Sequence, residues 1–209
     1  MSRNSFSTST SLNGIAPLPH LGVIRATGED AANFLHNQLT NDILLMTEKQ
    51  CRLAAFCNAK GRMQASFVVY KRSAEDVLLI SRKDLLPQTV KRLSMFVMRA
   101  KVKISDASEE FELLGLAGDT VGQVLNDLAC VAPLGKVEPW QRHTVGEADV
   151  LTLYPALDKV RALWLAPKGC IPPAASSLST ELWQVGEVMS GIAWVELATF
   201  EAFVPQMLN

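Results

Sequence analysis

The run CRLAAFCNAKGRMQASFVVYKRSAEDVLLIS, residues 51–81, decides the fold class. Its apolar and β-branched stretches at 52–58, 62–70 and 76–81 are joined by Ala59-Lys60-Gly61 and by the polar residues 71–75, a pattern that predicts three short strands in an antiparallel meander. Upstream, 21–27 reads as a strand that Gly28-Glu29-Asp30 turns into a helix with acids in its first turn, where the helix dipole favours them. Ala31, Phe34, Leu35 and Leu39 recur at helical spacing, and Thr40-Asn41-Asp42 ends that helix. Downstream, 84–99 is the clearest amphipathic helix, with Leu86, Val90, Leu93 and Val97 on one stripe and Lys91, Arg92 and Arg99 away from it. Strands are expected at 101–105, 111–116, 150–154, 160–165 and 192–195, and a helix from Gly118-Asp119 to about Ala129. Residues 131–145 read as a surface loop and 172–180 as a linker; a last helix is capped by Ser179 and stopped at Gly191. Together these elements predict an α+β fold of antiparallel sheets with flanking helices, not a parallel doubly wound sheet.

The chain has 209 residues, 48% hydrophobic and 20% charged, with a net charge of -1 and four cysteines. Its most apolar run, 150–167, is broken by Asp158, Lys159 and Arg161, short of the roughly 18 apolar residues of a membrane span. The Ser/Thr-rich residues 1–13 lack the apolar segment of a secretory signal and read as a disordered tail, which implies a cytoplasmic protein. Cysteines at 51, 57, 130 and 170 are too scattered for a disulfide framework. Charge is uneven: residues 60–103 hold eleven Lys and Arg against three acids, and the rest of the chain is net acidic. A contiguous basic block attracts anions, whether a small polyanion or RNA, or is simply a solvated face.

Several chemistries find no residues. Cys51 and Cys57 lie about 20 Å apart on a strand, too far to share one ion, and read as buried structural thiols. His20, His36 and His143 form no i,i+4 pair, and no Gly-x-Ser-x-Gly elbow exists. Gly115-Leu116-Ala117-Gly118 lacks the rest of a dinucleotide fingerprint and reads as a tight strand-to-helix turn. On the last helix the core stripe is read as Leu182, Val185, Gly186 and Met189, which leaves Trp183 on the flank beside Glu187 and Ser190. A large ring there either packs against a second domain or offers a flat face to a planar ligand.

Three segments carry a family resemblance. The stretch from Thr27-Gly28-Glu29-Asp30-Ala31 to Gln38-Leu39-Thr40-Asn41-Asp42, the turn Cys57-Asn58-Ala59-Lys60-Gly61-Arg62-Met63 and the closing Glu201-Ala202-Phe203-Val204-Pro205-Gln206-Met207-Leu208-Asn209 are similar to the glycine-cleavage T-protein superfamily. The Asn-Ala-Lys-Gly-Arg-Met form and the Phe-Val-Pro-Gln ending resemble its YgfZ branch, folate-binding proteins that support iron-sulfur enzymes and tRNA thiolation. The resemblance covers nearly the whole chain after the tail.

That resemblance implies a T-protein-like split first domain (14–48 and 112–209), an inserted ferredoxin-like second domain (49–111), and a C-terminal barrel and Lys-Gly-Cys-Tyr-x-Gly-Gln-Glu segment that this chain stops short of. Lys168-Gly169-Cys170 is not that segment, because Ile-Pro-Pro follows it. It implies a cavity for tetrahydrofolate or another folate, with Trp183 as a ring contact, Leu21 where the branch has a second aromatic contact, and Asn58, Lys60 and Arg62 at the turn, the cations drawing an anionic ligand tail. No metal is expected. Where the aminomethyltransferases carry a pair of aspartates this chain has Ala65 and Ser66, so acid/base help at the folate nitrogen is missing there. The leading expectation is a folate-binding accessory protein for iron-sulfur cluster maintenance and tRNA modification, with iron-sulfur enzymes as clients and no independent catalysis. The alternatives are a folate-dependent aminomethyltransferase and an RNA-binding module, the last disfavoured because only Phe67, Tyr70 and Phe96 accompany eleven cations.

Overall fold

A computed structural model describes residues 11–129, 137–173 and 176–208. Its elements are β1 (Gly14–Pro17), β2 (Leu21–Thr27), α1 (Ala31–His36), β3 (Cys51–Cys57), β4 (Met63–Ser73), β5 (Asp76–Arg82), α2 (Leu86–Val97), β6 (Lys103–Asp106), β7 (Phe111–Ala117), α3 (Asp119–Ala129), β8 (Arg142–Val145), β9 (Ala148–Ala156), β10 (Lys159–Pro167) and α4 (Thr180–Met189). They form two five-stranded sheets, ordered β1-β7-β10-β9-β8 and β3-β4-β5-β2-β6, with every strand pair antiparallel. The fold is α+β with open sheets, with α1, α2 and α3 on the outer faces and α4 against the inner face of the first sheet.

Alternation along the strands builds the layers. Val68, Tyr70, Leu78 and Ile80 of the second sheet face Leu151, Leu153, Leu163 and Leu165 of the first, and these residues make the core between the sheets. Their neighbours Phe67, Val69, Val77 and Leu79 pack outward against Phe34 and Leu35 of α1 and Leu86 and Leu93 of α2. Ala162 and Trp164 meet Val121 and Val124 of α3 on the far side. Because both faces of the central strands are covered, runs such as Phe67-Val68-Val69-Tyr70 are apolar throughout rather than alternating.

Several boundaries differ from the reading. The second sheet begins at β2, not at residue 49: β2 pairs with β5 and β6, and β1 pairs with β7, so the whole span from β2 to β6 is inserted between two neighbouring strands of the first sheet. Within it, β2-α1-β4-β5-α2-β6 has the strand order of a ferredoxin-like unit, with β3 added at the edge beside β4. The last residues of the tail expected over 1–13 are ordered parts of the fold. Residues 1–10 lie outside the described set, whereas Leu12 is 2% exposed in the inter-sheet core and Asn13 Oδ1 accepts from Thr120 N. The expected loop at 131–145 lies outside the described residues for 131–136 and is otherwise structured, since Arg142–Val145 is β8. Ser176 and Leu178 of the expected linker flank β1, hydrogen-bonding Ile15 on both sides, and no strand forms at 192–195. No helix among the described residues is long and apolar enough to cross a membrane.

Candidate functional site

A cavity of about 630 Å³ opens along the free edge of β3, a size suited to a small organic ligand. One end is closed where residues 140–142 bridge the two sheets: Cys51 N donates to Trp140 O at 3.1 Å, Arg142 N to Lys49 O at 2.9 Å and Trp140 N to Thr152 O at 2.7 Å. The other end is closed by Thr40, whose N donates to Ala55 O at 3.0 Å while its Oγ1 accepts from Ala55 N at 2.9 Å. Asn41 Nδ2 holds Leu53 O at 2.8 Å between them. An edge strand can wall such a site because its outward backbone groups pair with the loops and side chains that close the two ends instead of with another strand.

Aromatic, amide and hydroxyl groups line the space. Trp140 meets Tyr154 edge-on, with centroids 5.0 Å apart. The Trp140 backbone lies at φ 64, a left-handed conformation costly for a non-glycine residue, and it is held there because both its N–H and its C=O are hydrogen-bonded. Ser66 faces the cavity from β4; its Oγ accepts from Val195 N at 2.8 Å and donates to Ala193 O at 3.4 Å. Arg52 is the one charged side chain among the described lining residues. Its Nη1 donates to Asn41 Oδ1 at 3.3 Å and its Nη2 to Gln50 Oε1 at 3.5 Å. Burial pushes the Cys51 thiol up to about 12, so at neutral pH it is a protonated wall residue and not a nucleophile. Among the described residues no three His, Cys, Asp or Glu side chains converge as a metal set.

The GCVT N-terminal domain family matches residues 8–151, more than half of the chain. The chain belongs to that family. It is 29% identical over 198 residues to a protein named tRNA-modifying protein YgfZ of Hamiltonella defensa, covering 90% of this chain and 56% of that one. It is 28% identical over 183 residues to an aminomethyltransferase of Bacillus pumilus, covering 76% of this chain and 49% of that one. The chain thus spans about half the length of these relatives. The glycine cleavage system aminomethyltransferase T of Bartonella henselae shares the fold, with TM-score 0.63 and 17% identity over 77% of this chain and 43% of the other.

For this GCVT-domain chain, the site residues expected from the resemblance are not brought together. Trp183 is fully buried between the sheets, not on a flank. The buried side of α4 is Trp183, Gly186 and Glu187, while Val185 and Met189 are 47% and 58% exposed, so the true stripe is rotated from the expected one. Arg161 covers the indole at 4.2 Å and Glu187 accepts its N–H at 3.1 Å, which leaves no face for a ligand. Leu21 is a buried core residue of β2 and is likewise absent from the cavity wall.

Asn58, Lys60 and Arg62 stand at the β3–β4 turn, also off the wall. Asn58 Oδ1 accepts from Lys60 N and Arg62 N, and Arg62 Nη1 donates to Ala202 O at 2.8 Å. With Met63 N on Phe203 O and Glu201 N on Met63 O, the turn anchors the C-terminal stretch, so two of the three resemblance segments lie side by side. Of the aspartate-position pair, Ala65 faces the outer core and only Ser66 reaches the cavity. Sequence reasoning missed Arg52, Trp140, Tyr154 and Gln141. Their common signal, adjacency to β3, exists only once 140–142 pairs with 49–51.

Proposed function

We propose that this protein binds a folate in the cavity beside β3 and serves as an accessory factor in tRNA modification and iron-sulfur cluster maintenance, without transferring an aminomethyl carbon. The observation that carries the reading is Ser66: the cavity position facing β3 at Ala55 bears a hydroxyl where an aminomethyltransferase would bear a carboxylate. A neutral serine already engaged with Val195 N and Ala193 O cannot hold or deliver a proton near neutral pH as an aspartate can. The names of the YgfZ relatives support the tRNA-modification part.

The donor set fits the group. Trp140 and Tyr154 supply ring surface for a planar pterin or benzoyl system, and Asn41, Gln141 and Gln206 supply amide donors and acceptors. A bound tetrahydrofolate supplies a one-carbon carrier; the residues here bind it, orient it and shield one face from water. The aminomethyltransferase alternative has the Bacillus pumilus likeness behind it and is separated by experiment. Calorimetric titration with tetrahydrofolate is expected to give saturable binding that Trp140→Ala weakens about threefold to tenfold, stacking being worth on the order of 1 kcal/mol. A turnover assay with an aminomethyl donor and the partner glycine-cleavage components is expected to give no transfer. Absence of binding, or robust transfer, overturns the reading.

A further inference from the structure

The charge of the cavity points to the kind of ligand end it receives. Arg52 faces only the neutral oxygens of Asn41 and Gln50, at 3.3 and 3.5 Å, and no carboxylate lies within 4.0 Å of it among the described residues. Arg25 pairs with Asp76, Arg72 and Arg142 with Asp149, and Arg82 with Glu196, while Arg62 and Arg161, which like Arg52 have no acid within 4.0 Å among the described residues, lie outside the cavity wall and donate to backbone carbonyls. The amides that hold Arg52 are themselves fixed. Asn41 Nδ2 donates to Leu53 O and its Oδ1 also accepts from Asp42 N, while Gln50 Oε1 accepts from Thr47 N. The result is a guanidinium fork held in place, with donor capacity unused, in a cavity with no acidic lining residue among those described.

We propose that Arg52 is a carboxylate subsite that sets the direction of the bound ligand. This rests on the folate reading, since a folate carries its carboxylates on the glutamyl tail and none on the pterin. The tail lies at the Asn41–Arg52 end. Arg52 stands three residues before Ala55, the register partner of Ser66, an offset of about 10 Å that also puts its side chain on the other face of β3, so the guanidinium meets the cavity at the strand edge beside Asn41 and Gln50 and the ring end lies inward, toward Ser66. The site therefore selects carboxylated pteridines over tailless ones.

The test titrates the full chain and its Arg52→Gln and Arg52→Lys variants with 5-formyltetrahydrofolate and with 6-hydroxymethylpterin, after matching their melting temperatures. Charge-assisted hydrogen bonds of this kind lead us to expect a loss of about tenfold or more in folate affinity for Arg52→Gln. Arg52→Lys should fall in between, because it keeps the charge and loses the fork. The tailless pterin should bind wild type and Arg52→Gln alike. Equal folate affinity in wild type and Arg52→Gln, with Trp140→Ala still weakened, overturns the subsite and leaves the folate reading standing; no folate binding by wild type overturns both. If both Arg52 variants unfold, Arg52 is a structural residue and the subsite falls.

Discussion

Gly115 is a glycine because Trp183 occupies the space its Cβ would need: a Cβ there would lie 2.6 Å from the indole Cε3. Gly115→Ala is therefore expected to destabilise the fold by about 1 to 3 kcal/mol, read by urea denaturation, because the ring is locked by Arg161 and Glu187 and cannot move aside. For a fully buried indole, Trp183→Ala should cost about 3 to 5 kcal/mol, with little direct effect on a ligand at β3. Matched stabilities with lost ligand affinity would overturn this and return Trp183 to the site. Burial also governs the thiol of Cys51, which stays protonated in the fold until about pH 12 although the free thiol ionises near 9.0. The unfolded chain thus loses that proton first. Stability from this group is complete below pH 9 and falls as the pH rises toward 12, with Tyr70 shifted in the same direction by burial. Denaturation at pH 7 and pH 10.5 should show a smaller alkaline loss for Cys51→Ala than for wild type.

At the level of elements, one acid ties the two sheets together. Asp149 of β9, 2% exposed, accepts from Tyr70 Oη at 2.9 Å, Arg72 Nε at 2.8 Å and Arg142 Nε at 2.8 Å, so β4, β8 and β9 share one carboxylate. Asp149→Ala leaves two guanidiniums and a phenol without their acceptor and is expected to cost about 3 to 5 kcal/mol; Tyr70→Phe, which removes one neutral donor, should cost about 1 kcal/mol. A loss under 1 kcal/mol for Asp149→Ala would mean that the arginines find water instead. Most elements were legible in the sequence because their apolar periods are local: β4, β5, α2 and α3 fall within a few residues of expectation. The short strands β1 and β8 were not. Four residues carry too little pattern, and each is a strand only because a partner lies opposite, β7 for β1 and β9 for β8.

Across the whole molecule, the basic block is continuous in sequence and dispersed in space. Lys71 donates to the carbonyls of Ile43 and Leu44, Arg72 serves Asp149, Arg82 pairs with Glu196 and Lys101 with Glu29, while Lys91, Arg92 and Arg99 stay exposed on or just after α2. With three of the eleven cations paired to acids, the rest spread over several elements and few rings among them, single-stranded RNA should bind weakly at near-physiological salt; submicromolar binding with a steep salt slope in an anisotropy titration would refute this. The sequence by itself determined the α+β class, the meander, the family and the missing carboxylate at Ser66, because alternation, turn residues and a motif position are properties of neighbours along the chain. Only the tertiary structure decided that β2 belongs to the inserted sheet, that Trp183 is a core residue and that the candidate site is a cavity built from Asn41, Arg52, Ser66, Trp140 and Tyr154. Those residues come from separate strands and loops, and their approach depends on inter-sheet packing and on the bridge from 140–142 to 49–51, contacts that no local period encodes.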